Sequence, residues 1–180
     1  MPFANDKKTF LAKADKSKKG EIDEKVKPLL SIINQNPTLY TTSSCSGRVY
    51  LWRGSGKKNE TEWLKVSHDL ITEEFFQIQE AGFLWLRVEP FIMHICCADL
   101  ETAAALLEAV RTIYKKSCLL SISHKIIVEV RGSEVIEMPL YDEGKFLWNG
   151  DFQTLTELVN QKLNKIFTGL ERFHRLCNSL

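Results

Sequence analysis

Short apolar segments with the pattern of β-strands fill the middle of this 180-residue chain, and helical patterns lie between them and at both ends. Strands are predicted at 39–42, 48–53, 63–67, 83–88, 91–97, 119–123, 125–130 and 135–140. Clustered strands with helices interspersed and at the ends indicate an α+β fold, in which a mixed or mostly antiparallel sheet packs with helices.

Helices are predicted at 9–14, 23–35, 72–81 and 100–114, and a last helix is predicted from Asp151 to about Leu176. Apolar residues recur along the last helix at the spacing of one buried face. No repeat, low-complexity stretch or linker is visible, and 180 residues suit one domain with an ample core. We therefore predict a single domain spanning residues 1–180.

A hydroxyl-rich run separates the first two predicted strands. It reads Thr41-Thr42-Ser43-Ser44-Cys45-Ser46-Gly47-Arg48, and we call it the hydroxyl segment. Hydroxyl-bearing side chains are unfavourable in a hydrophobic core, because a buried hydroxyl without a hydrogen-bonding partner costs about 1–3 kcal/mol. A turn that offers hydroxyls, backbone N–H groups, a glycine and an arginine suits an anionic ligand. The alternative is a solvated turn that uses Ser and Gly for backbone reasons alone.

Four blocks of this sequence, in order, resemble the tRNA wybutosine-synthesising protein 3 family. They are the hydroxyl segment, the stretch 15–23 (DKSKKGEID), the stretch 63–68 (WLKVSH) and the stretch 89–94 (EPFIMH). The resemblance implies a methyltransferase that uses S-adenosylmethionine. Its implied substrate is the tricyclic wybutosine-precursor base beside the anticodon of phenylalanine tRNA, which is methylated on ring nitrogen N4.

The resemblance and the chemistry of the side chains together give a predicted site. The predicted catalytic residues, for positioning and proton handling, are Ser43, Ser44 and His68. The predicted cofactor-binding residues are Cys45, Gly47 and Arg48. The predicted substrate-binding residues are Lys16, Ser17, Trp63, Glu89, His94 and Ser117. Trp63 is suited to stacking on an unpaired base. His68 is suited either to accepting the proton of the methylated nitrogen or to hydrogen-bonding the base.

The cofactor is not expected in a Rossmann-type site. The sole Gly-x-Gly, Gly54-Ser55-Gly56, precedes charged loop residues rather than a helix. The hydroxyl segment is suited to the methionyl carboxylate of S-adenosylmethionine and equally to an RNA phosphate. The family often has Gly-Phe-x-x-Ser-Gly after its long helix, whereas this chain has Ile113 and Cys118 in place of the two glycines, so one wall of the pocket is expected to differ.

The charge of the chain limits how it can bind RNA. Its net charge is +1, so RNA contact must come from a local patch such as Lys16, Lys18, Lys19 and Arg48. The five cysteines are odd in number and form no CxxC motif, which indicates reduced thiols and no metal site. No signal peptide and no apolar run of about 20 residues is visible. We therefore predict a cytoplasmic protein without membrane contact.

Two other functions fit the same residues. A non-catalytic RNA-binding accessory module would use the same basic and aromatic side chains. A hydrolase with Cys45 as nucleophile and His68 as base is also possible, although no side chain that would orient His68 is identifiable. A cysteine phosphatase is excluded, because Arg48 follows Cys45 by three positions and the required position 51 is leucine.

Overall fold

The computed structural model describes residues 2–13, 23–54, 60–78, 82–143 and 145–179. The helices are α1 (Phe3–Leu11), α2 (Lys27–Gln35), α3 (Leu100–Val110) and α4 (Phe152–Cys177). The strands are β1 (Leu39–Cys45), β2 (Arg48–Arg53), β3 (Glu62–Ser67), β4 (Leu84–Glu89), β5 (Ile92–Cys97), β6 (Cys118–Ser121), β7 (Ile126–Arg131), β8 (Ile136–Asp142) and β9 (Lys145–Phe146). Short 3₁₀ helices occur at Glu24–Val26 and Glu73–Phe76.

The chain divides into two compact units. The first comprises Met1–Ser46, Phe91–Ser133 and Thr168–Leu180, and the second comprises Gly47–Pro90 and Glu134–Phe167. Each unit has its own sheet, and every strand pair in the described ranges is antiparallel. The α+β class with antiparallel pairing is confirmed, although the strands form two sheets rather than one. That residues 1–180 act as one domain stays a prediction.

The first unit has a four-stranded sheet in the order β1–β5–β7–β6. One face of this sheet is apolar and buried, with side chains from its two central strands and from α3 (Met93, Ile95, Val128, Val130, Ala103, Leu106 and Val110). Helix α1 is attached to the sheet by Tyr40, whose hydroxyl donates to Asp6 Oδ2, while Lys125 Nζ lies 2.8 Å from the same carboxylate oxygen. This helix therefore belongs to the fold of the unit, although none of its residues is fully buried.

The second unit has a five-stranded sheet in the order β3–β2–β4–β8–β9. Alternate residues of its central strands are fully buried (Val49, Leu51, Leu86 and Val88). Asn160 of α4 fastens the segment after β3, since its side-chain amide accepts from the Ile71 N–H at 2.9 Å and donates to the Ile71 carbonyl at 2.8 Å. The opposite face of β2 and β4 carries the polar and aromatic residues of the candidate site.

The predicted helix at 72–81 is wrong, because only the 3₁₀ turn Glu73–Phe76 forms in its described part. The ammonium group of Lys65 donates to the carbonyls of Glu74 and Phe75 at 3.0 Å and to that of Gln77 at 2.6 Å. Carbonyls of a continuing helix would accept from N–H groups four residues onward. Here a side chain from β3 satisfies them, and the chain leaves the helical path.

Two other boundaries differ from the prediction. Helix α1 begins at Phe3 rather than at residue 9, because Phe3 and Phe10 both pack on the Tyr40 ring, each at 5.4 Å between ring centroids. Helix α3 ends at Val110, and two turns follow before β6. Among the residues described, no helix combines the length and apolarity needed to span a bilayer.

Candidate functional site

The hydroxyl segment is mainly a strand, and its prediction as a turn is wrong. Residues Ser43, Ser44 and Cys45 continue β1, and only Ser46 and Gly47 separate β1 from β2. The polar residues are tolerated there because β1 is an edge strand whose last part is only partly buried. The segment contains the last residues of the first unit and the first residues of the second.

A β-bulge at Thr42 determines which hydroxyl-bearing side chain of β1 lies beside the His94 ring. Thr41 is opposite Ile95 and Ser43 is opposite His94, so Thr42 is the extra residue. Residues directly opposite each other in a sheet present their side chains on the same face. The bulge therefore brings the Ser43 side chain beside the His94 ring, whereas the Thr42 hydroxyl donates to the His94 backbone carbonyl at 3.3 Å. Ser44 is opposite the buried Met93, so it faces the other side of the sheet from Ser43.

Helix α2 stabilises the strand next to this bulge. The Asn34 side chain accepts from the Thr41 N–H at 2.8 Å and donates to the Thr41 hydroxyl at 3.0 Å. Asn34 thus supplies a partner for an N–H of the edge strand on the side where no neighbouring strand pairs. Asp23 acts in the same way at the end of the strand, because one of its oxygens accepts from the Lys25 N–H and the other from the N–H of the buried Ser46, at 3.0 Å.

Three polar side chains form a hydrogen-bonded row across the sheet of the first unit. The Ser43 hydroxyl oxygen lies 2.9 Å from Nδ1 of His94, and Nε2 of His94 lies 3.1 Å from Oε2 of Glu129. His94 is opposite both Ser43 and Glu129 in the strand register. Ser43 is exposed, whereas the side chains of His94 and Glu129 are 27% and 16% exposed. We call these residues the Ser43–His94–Glu129 row.

Arg48 and Glu89 form a half-buried ion pair in the second unit. Nε and Nη2 of Arg48 both donate to Oε2 of Glu89, at 2.9 and 2.7 Å, and the Tyr50 hydroxyl donates to Oε1 at 2.7 Å. Burial alone would raise the pKa of Glu89, but the hydrogen bonds from Tyr50 and Arg48 outweigh it and hold that pKa below its usual value. The positive charge of Arg48 is thus largely balanced within the protein.

The same arginine covers one side of an exposed tryptophan. The guanidinium carbon of Arg48 lies 4.4 Å from the ring centroid of Trp63, and the Tyr50 ring lies 5.6 Å from it. Trp63 is on the edge strand β3 and remains 45% exposed. A ring held against a cation and still open to solvent is suited to stacking on a planar ligand.

His68 contacts the hydroxyl segment directly. Its Nδ1 lies 2.9 Å from the carbonyl oxygen of Gly47, and a carbonyl oxygen can only accept a hydrogen bond. The proton of neutral His68 therefore lies on Nδ1, and Nε2 is the basic nitrogen. Gly47 has a φ of +99°, in a region that favours glycine. The predicted imidazole beside the segment is thus present in the second unit.

The remaining predicted site residues have different surroundings. Cys45 is half-buried at the end of β1, opposite Ile92. Ser117 is 1% exposed, and its hydroxyl accepts from the Arg131 N–H at 3.3 Å, so it stabilises the start of β6. A substrate contact by Ser117 stays a prediction. Lys16 and Ser17, together with Lys18 and Lys19, lie outside the described residues.

Sequence reasoning missed Glu129 and Tyr50. Glu129 is the single charged residue in the apolar run 126–130, and an isolated carboxylate in such a run requires a partner. That signal was visible in the sequence. Tyr50 had no comparable signal, because a tyrosine is an ordinary residue in a half-buried strand.

Comparisons with known proteins cover almost the whole chain. The family model described as Methyltransferase TYW3 matches residues 5–179. The chain is 34% identical over 183 residues to the tRNA wybutosine-synthesizing protein 3 homolog of Xenopus laevis, covering 96% of this chain and 73% of that protein. It is 35% identical over 173 residues to a protein of Pyrococcus abyssi, covering 91% and 89% of the two chains.

The Pyrococcus abyssi protein is named tRNA(Phe) 7-((3-amino-3-carboxypropyl)-4-demethylwyosine(37)-N(4))-methyltransferase 1. Among solved structures, the PH1069 protein from Pyrococcus horikoshii matches with a TM-score of 0.89 and 30% identity. That match covers 99% of this chain and 97% of the other.

Proposed function

This chain belongs to the Methyltransferase TYW3 family, and from that premise we propose that it methylates ring nitrogen N4 of the tricyclic wybutosine-precursor base in phenylalanine tRNA. S-adenosylmethionine is the proposed methyl donor. Family membership confirms the resemblance carried by the four sequence blocks. The names of the relatives in Xenopus laevis and Pyrococcus abyssi support the substrate.

The observation that carries the proposal is the exposed Ser43 hydroxyl, hydrogen-bonded to the His94 imidazole at 2.9 Å. A ring nitrogen that carries hydrogen must lose its proton when it gains a methyl group. A solvent-facing hydroxyl backed by an imidazole is a group that can take that proton. It occurs within the hydroxyl segment, one of the four blocks that resemble the family.

S-adenosylmethionine, when bound, would supply a methyl group on a positively charged sulfur, and this sulfur would leave as a neutral thioether when a lone pair attacks the methyl carbon. The exposed or half-exposed donors of the hydroxyl segment fit the carboxylate of its methionyl part. Ser44 and Cys45, both half-buried at the end of β1, are the proposed donors, and Gly47, which is itself buried, sets the path of the chain after them through its positive φ. Glu89 already balances the positive charge of Arg48. The methionyl carboxylate is therefore proposed to be held mainly by neutral donors.

Trp63 is the proposed stacking surface for the base. Stacking on an aromatic side chain is worth about 1–3 kcal/mol per base, and Arg48 fixes the orientation of the ring from its covered side. Glu89 contributes by orienting Arg48. His68, whose Nδ1 is held by the Gly47 carbonyl, is proposed to hydrogen-bond the base. Lys16 and Ser17 are proposed to contact RNA phosphates.

Transfer of a labelled methyl group tests this proposal. The purified protein is incubated with methyl-labelled S-adenosylmethionine and phenylalanine tRNA that carries the unmethylated tricyclic base. We expect label in the tRNA, and no label when the base is already methylated. Ser43→Ala should lower the rate at least tenfold, whereas Ser31→Ala, an exposed serine of α2, should not change it. Binding of tRNA without transfer would favour the accessory RNA-binding module.

A further inference from the structure

We propose that Glu129 is a positioning residue that fixes the tautomer of His94, so that Ser43 and His94 form a proton-accepting pair. The catalytic role of Glu129 rests on the proposed methyl transfer, whereas its effect on the tautomer of His94 does not. Neither the family resemblance nor the names of the relatives assigns a role to Glu129. The inference comes from the Ser43–His94–Glu129 row.

Glu129 lies at a mostly buried position that is unfavourable for an unpaired carboxylate. It lies on β7, which pairs with β5 on one side and β6 on the other, and its side chain is only 16% exposed. Within the described part of the chain, its only hydrogen-bonding partner is Nε2 of His94, at 3.1 Å. A desolvated carboxylate is costly unless it is paired, and the imidazole is the group that pairs with it.

This contact determines where neutral His94 carries its proton. An ionised carboxylate can only accept, so Nε2 must be the protonated nitrogen. Nδ1 then carries a lone pair and accepts the hydrogen bond from the Ser43 hydroxyl, 2.9 Å away. His68 has the opposite arrangement, because its Nδ1 donates to Gly47. Strand pairing alone would leave both tautomers of His94 available, and Glu129 selects one.

The row gives the departing proton a balanced path. The N–H bond of the ring nitrogen breaks, and its proton passes to the oxygen of Ser43. The hydroxyl proton of Ser43 passes at the same time to Nδ1 of His94. The serine is regenerated, and His94 becomes a cation whose Nε2–H faces the Glu129 carboxylate. The negative charge of Glu129 stabilises that cation as it forms, in the way that a buried carboxylate supports a catalytic histidine.

The alternative is that Glu129 is purely structural and only holds β5 to β7. Two measurements separate these roles. Ring ¹⁵N NMR of the protein, at a pH where imidazole is neutral, reports which nitrogen of His94 carries hydrogen, and it requires no activity. Steady-state methyl transfer to tRNA reports kcat and KM separately.

The informative variant is Glu129→Gln, which keeps the size of the side chain and removes its charge. Its amide can donate to Nε2 of His94, which moves the ring proton to Nδ1 and blocks acceptance from Ser43. Glu134→Gln is the matched control, because Glu134 is a partly buried carboxylate, 28% exposed, in an ion pair with Lys162. Both variants lose one charge, but only one of them touches His94.

We expect wild-type His94 to carry its proton on Nε2, and we expect Glu129→Gln to move part or all of it to Nδ1. The kcat of Glu129→Gln should fall about 10- to 100-fold with little change in KM, and Glu129→Asp should recover part of this loss. Glu134→Gln should match the wild type.

A wild-type His94 protonated on Nδ1 would overturn the inference. So would a folded Glu129→Gln protein with wild-type kcat. If the wild-type protein transfers no methyl group, the proposed function fails, and the ring NMR still decides whether Glu129 fixes the tautomer of His94.

Discussion

Replacing Glu89 with glutamine removes the charge of a carboxylate that contacts three polar side chains of the second unit. The carboxylate accepts two hydrogen bonds from Arg48 and one from Tyr50, and Arg87 Nε lies 3.4 Å from its Oε1. Glutamine has the same shape but one acceptor oxygen and no charge. The change therefore leaves Arg48, whose side chain is 23% exposed, without its counter-ion.

The cost follows from these contacts. Hydrogen bonds to charged groups contribute about 1.5–3 kcal/mol each, and the remaining amide oxygen recovers part of that. We expect the free energy of unfolding to fall by about 2–3 kcal/mol. For a chain of this size, that lowers Tm by about 4–12 °C. Because Arg48 also orients the Trp63 ring, tRNA affinity should fall in parallel.

The pH dependence has a defined sign. The pKa of Glu89 is lower in the folded protein than in the unfolded chain. Its stabilising effect is therefore fully present above the unfolded pKa, about 4.3, and is lost as the pH falls through the folded pKa. The difference in Tm between wild type and Glu89→Gln should be largest near neutral pH and should shrink in acid below about pH 4.

Calorimetric unfolding between pH 3 and pH 8, with Glu137→Gln as control, measures this effect. Glu137 pairs with Arg87 at 3.3 Å, but its side chain is 43% exposed, so its loss should cost less than about 1 kcal/mol. Equal Tm values for the two variants at neutral pH would mean that the Arg48–Glu89 pair contributes no more than a surface ion pair.

Three further predictions concern residues around the site. Gly47→Ala should lower stability by about 1–2 kcal/mol, measured by urea unfolding, because its φ of +99° disfavours a side chain; an unchanged unfolding midpoint would contradict this. Trp63→Ala should weaken tRNA binding about tenfold or more in a filter-binding assay, whereas Trp63→Phe should retain most of the affinity; equal loss in both would argue against stacking. Lys65→Met should release the three carbonyls that its ammonium group satisfies and speed limited proteolysis near Glu73–Phe76, and an unchanged cleavage rate would exclude this anchoring role.

The sequence was sufficient for elements whose residues favour one structure locally. Asp99 and Asp151 cap α3 and α4 as predicted, through hydrogen bonds to the N–H groups of Thr102 and Thr154. The central strands also lie within a residue or two of their predicted positions. In these cases capping chemistry and apolar spacing point to the same structure.

Features that depend on distant contacts were not predictable. The 72–78 segment has a helical pattern, yet the ammonium group of Lys65 on β3 satisfies its carbonyls. Residues 43–45 form a strand because they pair with β5 after a bulge, and the local sequence does not predict that bulge. The short strand β9 is defined by its pairing with β8, where Tyr141 lies opposite Phe146 with 5.0 Å between the ring centroids.

The candidate site was predictable in its parts but not in its connections. Ser43, His94, Arg48, Trp63 and Glu89 were all identified from the sequence. Which of them touch was decided by strand register, and that register made Arg48 a partner of Glu89 rather than an unpaired anion ligand.

The position of the transferred methyl group is the decisive test of the proposed reaction. After reaction of the purified protein with S-adenosylmethionine and phenylalanine tRNA bearing the unmethylated tricyclic base, the tRNA is digested and the modified nucleoside is fragmented in a mass spectrometer. We expect one added methyl group on ring nitrogen N4 of that base, formed by the wild type and strongly reduced in Ser43→Ala. A methyl group found elsewhere in the tRNA, or equal product from Ser43→Ala, would contradict the proposed reaction.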